Sequence, residues 1–414
     1  MSARRSELRT AFAIGEEEWE GLSASPTLLS LADVMVESAV GCIAIPLGIA
    51  DGFLIDGEEV AIPMAVEEPS VIAAASFAAW LVRPDGGFTT WASAPLMSAQ
   101  VFLEDVTEEG ERRLAGCGAR VRAVLAPMLS SLEKRGGGFT ELRVTRLPRS
   151  GTVRADLIID VRDAMGANRL NSAAERARPL LEAESGGRTL MAILSNAAQD
   201  RLAGARFRIR AERLGIRLPP GMDGIETARR VARASALAQE DPSRAVTHNK
   251  GIMNGISSLA LATMNDTRAA EAAAHAWAAR GGQYRGLSRF AVEGDVLSGE
   301  LELPLALAVV GGSVDFHPAG RAGLAVLGAP DAPRLSRIAA ALGLAQNFAA
   351  LLALVTTGIQ SGHMRYHAAR LAYRAGARGQ EARRLAASLE AAAVPADLDA
   401  ARAMLSKLRG SAER

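Results

Sequence analysis

The stretch FTELRVTRLPRSGTVRADLIIDVRDAMGANRLNSAAERARPLLEAESGGRTLMAILSN, residues 139–196, is the part of the chain that says most about its topology. Two runs rich in β-branched and apolar residues flank the Pro148–Gly151 turn and predict a strand pair. A helical segment follows, and RTLMAILSN predicts a further strand. The preceding residues supply a strand in SAQVFLEDV and a long helical segment that ends at the glycines 136–138. The resulting β-α-β-β-α-β order is typical of a ferredoxin-like unit.

The two ends of a ferredoxin-like unit lie side by side, so such a unit can be inserted into a larger domain. We therefore expect an α+β fold with a small inserted domain at 96–196. The surrounding residues, 1–95 and 197–358, predict one large and mostly helical domain. The short charged helices of 359–414 predict a mobile helical C-terminal subdomain.

The composition is that of a globular protein with a large core, since 49% of its 414 residues are hydrophobic and 22% are charged. The net charge of +1 gives no electrostatic reason to expect nucleic acid or an anionic membrane as a partner. The two cysteines do not suggest a disulfide scaffold, which favours a reducing compartment. The charged N-terminus does not resemble a signal peptide, and the uncharged stretch 338–360 contains Gln and Asn, as a buried helix does. We expect a cytoplasmic protein.

Four segments combine polar side chains with glycine or proline and could carry chemistry: VEEPS at 66–70, DAMGAN at 163–168, THNKGIMNG at 247–255 and GIQSGHM at 358–364. The third is unusual because Lys250 and its polar neighbours adjoin the apolar run Ile252–Met264, whereas an ordinary amphipathic helix places such groups on its solvated face. Taken singly, each segment also has an ordinary interpretation as a helix cap or a solvated surface.

Conventional cofactor motifs are missing from the sequence. There is no GxGxxG at a strand–helix junction, no Walker loop and no HExxH. His363 and His367 have metal-ligand spacing but lack a nearby acidic or thiol ligand, so no metal site is predicted. Cys42 lies among apolar residues, as a core cysteine does. Its thiol still leaves one alternative open, a coenzyme A-dependent acyltransferase with Cys42 as nucleophile.

Taken together, the segments are much more specific. VEEPS, DAMGAN, DPSRAVTHNKGIMNG, GLAQN and GIQSGHM occur in one order between about residues 35 and 375. In these motifs the chain resembles the class II, bacterial-type hydroxymethylglutaryl-coenzyme A (HMG-CoA) reductases. The resemblance implies interconversion of HMG-CoA and mevalonate plus coenzyme A by two successive hydride transfers with NAD(P)(H). It also implies that 96–196 binds the dinucleotide and that the large domain binds HMG-CoA.

The catalytic residues of this family correspond to Glu68, Lys250, Asp266 and His363 in this chain. Hydride addition to a thioester builds negative charge on oxygen, which the ammonium of Lys250 would stabilise, with Asp266 keeping it charged. His363 would protonate the departing thiolate, and Glu68 would exchange a proton with the aldehyde oxygen. The last role favours a carboxyl with a raised pKa, so we expect a poorly solvated Glu68.

The resemblance also implies the binding residues. Arg244 corresponds to an arginine that binds the substrate carboxylate, for which a guanidinium has the fitting bidentate geometry. The other implied substrate contacts are Ser70, Asn254, Gln346, Asn196 and Glu37. The implied dinucleotide contacts are Asp163, Met165, Gly166, Ala167 and Asn168.

The chain departs from the family pattern at three places. Met264 stands where the family has Gly before Asn265 and the catalytic Asp266. Ser38 stands where the family has Asn. Leu129 stands where some NADH-using members have an acidic residue, and Lys134 and Arg135 nearby would permit a 2′-phosphate. The rest of the sequence is closer to members that use NAD, so we expect NAD(H) or NADP(H) with a slight preference for NAD(H). The resemblance implies a homodimer or larger homo-oligomer with shared active sites, and leaves open whether mevalonate is made for isoprenoid metabolism or degraded.

Overall fold

The computed structural model describes residues 2–11, 15–215, 222–358, 368–391 and 397–412. It is a mixed α and β fold with three antiparallel sheets, which confirms the predicted class. One sheet is a two-stranded hairpin and the other two have four strands each.

The N-terminal part contains helices and a hairpin. Its helices are α1 (Ser2–Ala11), α2 (Glu16–Gly21), α3 (Pro26–Met35) and α4 (Val71–Val82), with a short 3-10 helix at Arg83–Asp85. Its strands are β1 (Leu47–Ile55), β2 (Glu58–Ala65) and β3 (Thr89–Ala92). The β1–β2 turn is formed by Asp56 and Gly57, both with positive φ, as the Asp-Gly dipeptide predicts for a tight hairpin.

The middle of the chain forms the predicted ferredoxin-like unit. It consists of β4 (Leu96–Glu104), α5 (Glu108–Ala115), α6 (Gly118–Glu133), β5 (Gly138–Arg146), β6 (Val153–Asp160), α7 (Ala167–Ser185) and β7 (Arg188–Leu194). The strands pair in the order β5-β6-β4-β7, so the β-α-β-β-α-β prediction is confirmed. The first helical segment is broken into α5 and α6 at Gly116 and Cys117, whereas the sequence suggested one long helix.

The third part returns to the body of the protein. Its strands are β8 (Leu202–Arg210), β9 (Ser288–Glu293) and β10 (Val296–Pro304), which form a sheet of order β3-β8-β10-β9. A short 3-10 helix, Ala211–Gly215, follows β8. Its helices are α8 (Gly224–Glu240), α9 (Pro242–Ala262), α10 (Thr267–Ala278), α11 (Ser313–Phe316), α12 (Pro318–Val326) and α13 (Ala332–Val355). Two further helices, Gly379–Glu390 and Leu398–Ala412, lie near the C-terminus.

Buried apolar side chains form three separate clusters. The first joins the hairpin, α4, α9, α13 and the sheet of β3, β8, β10 and β9. The second fills the ferredoxin-like unit, and the third lies among the C-terminal helices. The division into three parts at 96–196 and 359–414 stays a prediction.

Helix α13 passes through the centre of the first cluster. Among the described residues it is the one helix whose length and composition would allow it to span a membrane, yet 78% of its most apolar window is buried inside the fold. Its faces differ little in apolarity because the helix is surrounded on all sides. The expectation of a buried helix at this position therefore agrees with the structure.

Helices α9 and α13 approach each other closely at two glycines. A Cβ atom on Gly343 would lie 2.8 Å from Cδ1 of Ile256, and one on Gly255 would lie 3.2 Å from Cβ of Gln346. Contacts this close leave no space for a side chain, so the two glycines set the distance between the helices.

We expect Gly343→Leu to lower the thermal unfolding midpoint, because the added side chain overpacks the α9–α13 contact by about 1–3 kcal/mol. Gly251→Ala is the matched control, since a Cβ there meets no atom within 4 Å. It should keep or slightly raise the midpoint, because alanine favours a helix over glycine by up to about 1 kcal/mol. Equal midpoints for Gly343→Leu and the wild type would show that the glycine contact does not limit the packing.

Candidate functional site

Two cavities contain most of the predicted site residues. The first, here called the Lys250 cavity, has a volume of about 370 Å³ and lies between α4, α9 and α13. The second, here called the Gly166 cavity, has a volume of about 930 Å³ and lies at the start of α7, facing α10 and the 308–315 segment.

Helix α9 places Lys250 at the first cavity. The Asp241 side chain caps the helix by accepting hydrogen bonds from the amides of Ser243 and Arg244. The apolar run from Ile252 is buried against the core, as predicted, while Lys250 points to the open side. Its Nζ lies 2.9 Å from Oε2 of Glu68, so the two form an ion pair at the cavity.

The polar neighbours of Lys250 are buried in the fold. His248 is 1% exposed, and its Nε2 lies 2.6 Å from the hydroxyl of Ser288, which donates to Oδ1 of Asn347 on α13 at 2.7 Å. Asn249 is fully buried, and its side chain donates to the carbonyl of Arg285 and accepts from the amide of Leu287. These bonds fix α9 to the 285–288 segment and to α13, and thereby fix the position of Lys250.

Burial and the nearby Arg244 cation lower the pKa of His248 from its usual 6.5 to about 3. His248 is therefore a neutral hydrogen-bonding residue at physiological pH. The polar residues of THNK therefore differ in function: Lys250 pairs with Glu68 at the cavity, Asn249 only holds the helix, and His248 both holds the helix and lines the cavity.

Glu68 lies in a turn between β2 and α4. Helix α4 begins at Val71, after Ser70, which has φ 72 and lies in the left-handed region. A non-glycine residue there costs on the order of 1–3 kcal/mol and is frequent at functional sites. The Ser70 hydroxyl is buried without a hydrogen-bond partner.

The wall of the Lys250 cavity carries further polar groups without partners. Within the described part of the chain, the Arg244 guanidinium makes no hydrogen bond or ion pair, and partial burial lowers its pKa. Oε1 of Gln346 is buried and accepts no hydrogen bond. A cation, a hydroxyl and an amide oxygen therefore belong to residues that line the same cavity, and these groups can bind a ligand that carries a carboxylate and a hydroxyl group.

The Gly166 cavity is built on the N-terminus of α7, a 19-residue helix. Gly166 precedes the helix with φ 90, and a Cβ atom there would lie 2.6 Å from Cγ1 of Val161, so only glycine fits. The unpaired amides of a helix N-terminus attract anions. The lining also includes the side chains of Arg135 and Arg169, which could hold phosphate groups.

Arg201 supports this cavity from inside the fold, although the sequence did not single it out. It is 4% exposed and donates to the carbonyls of Ala164 and Leu307. Burial lowers the pKa of its guanidinium to about 10. Arg201 therefore fixes the loop before Gly166 to the body of the protein. Nothing in its sequence surroundings distinguishes it from a surface arginine at the start of a strand.

The structure brings most of the predicted residues to one of the two cavities. Glu68, Ser70, Arg244, Lys250, Asn254 and Gln346 line the Lys250 cavity. Met165, Gly166, Ala167, Asn168 and Asp266 line the Gly166 cavity. Asp266 also caps α10 through the amide of Ala269 and lies 3.4 Å from Arg268. His363 lies outside the described residues.

Three predicted contacts line neither cavity. Glu37 and Asn196 are exposed in turns. The carboxylate of Asp163 accepts a hydrogen bond from the amide of Ala332, and its carbonyl accepts one from Val309. Asp163 thus connects the loop before α7 to two other segments, which is a structural function that its place in DAMGAN does not reveal.

The ion pair is more solvated in a single chain than the sequence led us to expect. The side chains are 59% exposed at Lys250 and 38% exposed at Glu68. The poor solvation expected for Glu68 is therefore not a property of the isolated protomer.

Comparisons with known proteins give one consistent result. The family model described as hydroxymethylglutaryl-coenzyme A reductase matches residues 1–368. A 3-hydroxy-3-methylglutaryl-coenzyme A reductase of Archaeoglobus fulgidus is 42% identical over 381 residues, which cover 90% of this chain and 84% of that protein. A probable enzyme of the same name from Borreliella burgdorferi is 35% identical over 80% of this chain and 76% of its own length.

A solved structure resembles the whole fold. It is the class II 3-hydroxy-3-methylglutaryl-CoA reductase of Streptococcus pneumoniae, bound to NADPH in open conformations. It superposes with a TM-score of 0.77 at 38% sequence identity and covers 99% of both chains.

We expect His248 to make the protein less stable as the pH falls below 6.5. The unfolded chain binds a proton on this histidine near pH 6.5, whereas the folded chain resists protonation down to a pKa of about 3. The unfolding free energy should therefore fall by up to about 1.4 kcal/mol per pH unit in this window. Urea unfolding at pH 7.5, 6 and 5 should show a smaller pH dependence for His248→Gln than for the wild type. Parallel pH profiles would contradict a neutral, buried His248.

Proposed function

Because the chain belongs to the hydroxymethylglutaryl-coenzyme A reductase family, and is thus an NAD(P)-dependent oxidoreductase that interconverts HMG-CoA with mevalonate and coenzyme A, we propose which residues carry the reaction. The Lys250 cavity receives the hydroxymethylglutaryl group, and the Gly166 cavity receives the dinucleotide. The observation that carries this assignment is the 2.9 Å pair of Lys250 and Glu68, which borders a cavity with unpaired polar groups.

The polar groups of the Lys250 cavity match the substrate. The Arg244 guanidinium would bind the terminal carboxylate of the substrate. The Gln346 oxygen would accept a hydrogen bond from the substrate hydroxyl, and the Ser70 hydroxyl would donate one to a substrate oxygen. Asn254 lines the same space and could contribute a further bond. Each of these groups would gain a partner that the protein itself does not supply, which favours binding because a buried polar group without a partner costs about 1–3 kcal/mol.

The ion pair would carry the chemistry. A reduced nicotinamide, when bound, supplies the hydride for each of the two reductions. Lys250 would stabilise the negative charge that develops on the thioester oxygen, an effect that typically lowers a barrier by roughly 3–4 kcal/mol. Glu68, already bonded to that ammonium, would pass a proton to the aldehyde oxygen in the second reduction. His363 would protonate the coenzyme A thiolate, whose conjugate acid has a pKa of about 8.5.

The two cavities support a site shared between copies. Asp266 lines the Gly166 cavity and Lys250 lines the other, although the family's chemistry brings these residues together. We propose that Asp266 of one protomer meets Lys250 of a second copy in a homodimer, which would also reduce the solvation of Glu68. An exposed apolar surface supports a dimer. It is formed by Ile43, Ile45, Leu47, Ile49, Phe77 and Trp80.

The dinucleotide is NAD(H) or NADP(H). Leu129, at the position that bears an acid in some relatives, is fully buried. It therefore cannot contact a ribose, and it does not indicate which dinucleotide binds. Arg135 and Arg169 at the cavity are compatible with a 2′-phosphate, and the Streptococcus pneumoniae enzyme was solved with NADPH. The slight preference for NAD(H) and the cytoplasmic location remain predictions.

No finding supports the alternative of an acyltransferase. The thiol of Cys42 lies 3.9 Å from the carbonyl of Leu28 and lines neither cavity. A nucleophile that cannot reach a bound thioester cannot transfer its acyl group.

We expect the purified protein to oxidise NADH or NADPH in the presence of HMG-CoA and to release free thiol. Lys250→Ala should lower kcat at least about a hundredfold, because the developing charge loses its preorganised cation. Lys407→Ala, which removes an exposed lysine from the last helix, is the matched control and should keep wild-type rates. Initial rates with each cofactor reveal the preferred one. Normal turnover by a folded Lys250→Ala variant would refute the assignment.

Mixed dimers test the shared site. The Lys250→Ala and Asp266→Asn variants should each be inactive. Asparagine is chosen at position 266 because its side chain can still cap α10, so the variant should fold. After the two proteins are unfolded and refolded together at equal amounts, about a quarter of wild-type activity should return, since half the dimers contain one intact site. Activity that stays at the level of the separate variants would place both residues in one protomer's site.

A further inference from the structure

The C-terminal unit, defined here as the described residues 368–391 and 397–412, contacts the turn that carries Glu68. Nη2 of Arg370 donates a hydrogen bond to the carbonyl oxygen of Glu67 at 3.1 Å. That oxygen belongs to the peptide bond that leads into Glu68. The guanidinium of Arg370 therefore lies at the border of the site, although its residue lies about 300 positions away along the chain.

Among the described residues, the apolar cluster and the other hydrogen bonds of the unit are internal to it. Its apolar cluster is formed only by its own residues, among them Leu371, Leu385, Leu389 and Leu405. Arg409 forms an ion pair with Glu381 and donates to the carbonyl of Gly376, all within the unit. Across the described ranges, the bond of Arg370 to Glu67 is the one recorded hydrogen bond between this unit and the rest of the protein.

The turn, in contrast, has several other supports. The amide of Val66 donates to the carbonyl of Pro46, the carbonyl of Ser70 accepts from the amide of Ala74, and Glu68 is paired with Lys250. Loss of the Arg370 side chain would therefore leave the turn in place. It would remove the one hydrogen bond that joins the described residues of the C-terminal unit to the rest of the described chain.

We propose that Arg370 is a positioning residue that aligns the C-terminal unit with the Glu68 turn. The proposal rests on the proposed function, in which a group from the segment between Gly358 and this unit protonates the thiolate. Loss of Arg370 should therefore slow the reduction that releases the thiolate and not the reduction of the aldehyde. Reduction of HMG-CoA releases a thiolate and depends on the unit, whereas reduction of the free aldehyde intermediate releases none and depends on Lys250 and Glu68.

The kinetic test compares the two reductions. Arg370→Ala should lower kcat for HMG-CoA reduction about tenfold or more, because a misplaced catalytic group typically costs up to about a hundredfold. Its kcat for free mevaldehyde should stay within about twofold of the wild type, since the thiolate step is bypassed. Arg370→Lys keeps a donor and should recover part of the lost rate. Arg374→Ala removes an exposed arginine one helical turn away and should change neither reaction.

A measurement without substrate tests the positioning itself. Spin labels on Thr89→Cys and Ala387→Cys, both exposed, report the distance between β3 and the unit in a Cys42→Ser background. Arg370→Ala should broaden this distance distribution, and Arg374→Ala should not.

The outcomes separate the proposals. An unchanged distance distribution, or an equal loss of both reductions in Arg370→Ala, would overturn the positioning function, because the residue would then act through the Glu68 turn or not at all. A wild-type protein that reduces neither substrate would refute the proposed function instead, and the spin-label distances would still decide the function of Arg370.

Discussion

The ion pair between Lys250 and Glu68 depends on how firmly α9 is held. Two glycines let α9 approach α13 closely, and two buried polar residues, His248 and Asn249, attach it to the 285–288 segment. A flexible lysine side chain on a loosely held helix would not keep a fixed distance from a carboxylate in another segment. Here the helix is fixed by the core, so only the side chain of Lys250 remains to be oriented, and Glu68 does that.

The Gly166 cavity is likewise held by bonds between segments that lie far apart along the chain. The loop before α7 belongs to the ferredoxin-like unit, but its hydrogen bonds connect it to segments outside that unit. Asp163 connects it to Ala332 and Val309, and Arg201 bonds the carbonyls of Ala164 and Leu307. Asn265 bonds both backbone groups of Ala308 and stands next to Asp266. The loop that borders the Gly166 cavity is therefore tied by hydrogen bonds to segments outside its own unit.

Among the described residues, three of the five side chains that have a buried polar atom without a partner line the Lys250 cavity. Ser70 has a left-handed conformation, and the side chains of Ser70, His248 and Gln346 each have a buried polar atom without a partner. Such features lower stability and persist where the surrounding structure enforces them. Their presence around one cavity, next to a partly desolvated Arg244, fits a surface that is completed by a ligand.

The sequence by itself determined the β-α-β-β-α-β unit, the hairpin at Asp56 and Gly57, and the buried character of α13. These depend on local periodicity and turn chemistry, which neighbouring residues specify. The motifs also identified Lys250, Glu68 and the glycine at 166. Only the tertiary structure showed which polar residues hold the two cavities: Asn249 and Asp163 are supports that line neither cavity, His248 is a support that also lines one, and Arg201 was not foreseen. The physical reason is that burial and hydrogen-bond partners come from segments far apart along the chain, so a polar residue has the same local pattern whether it faces a ligand or a distant carbonyl.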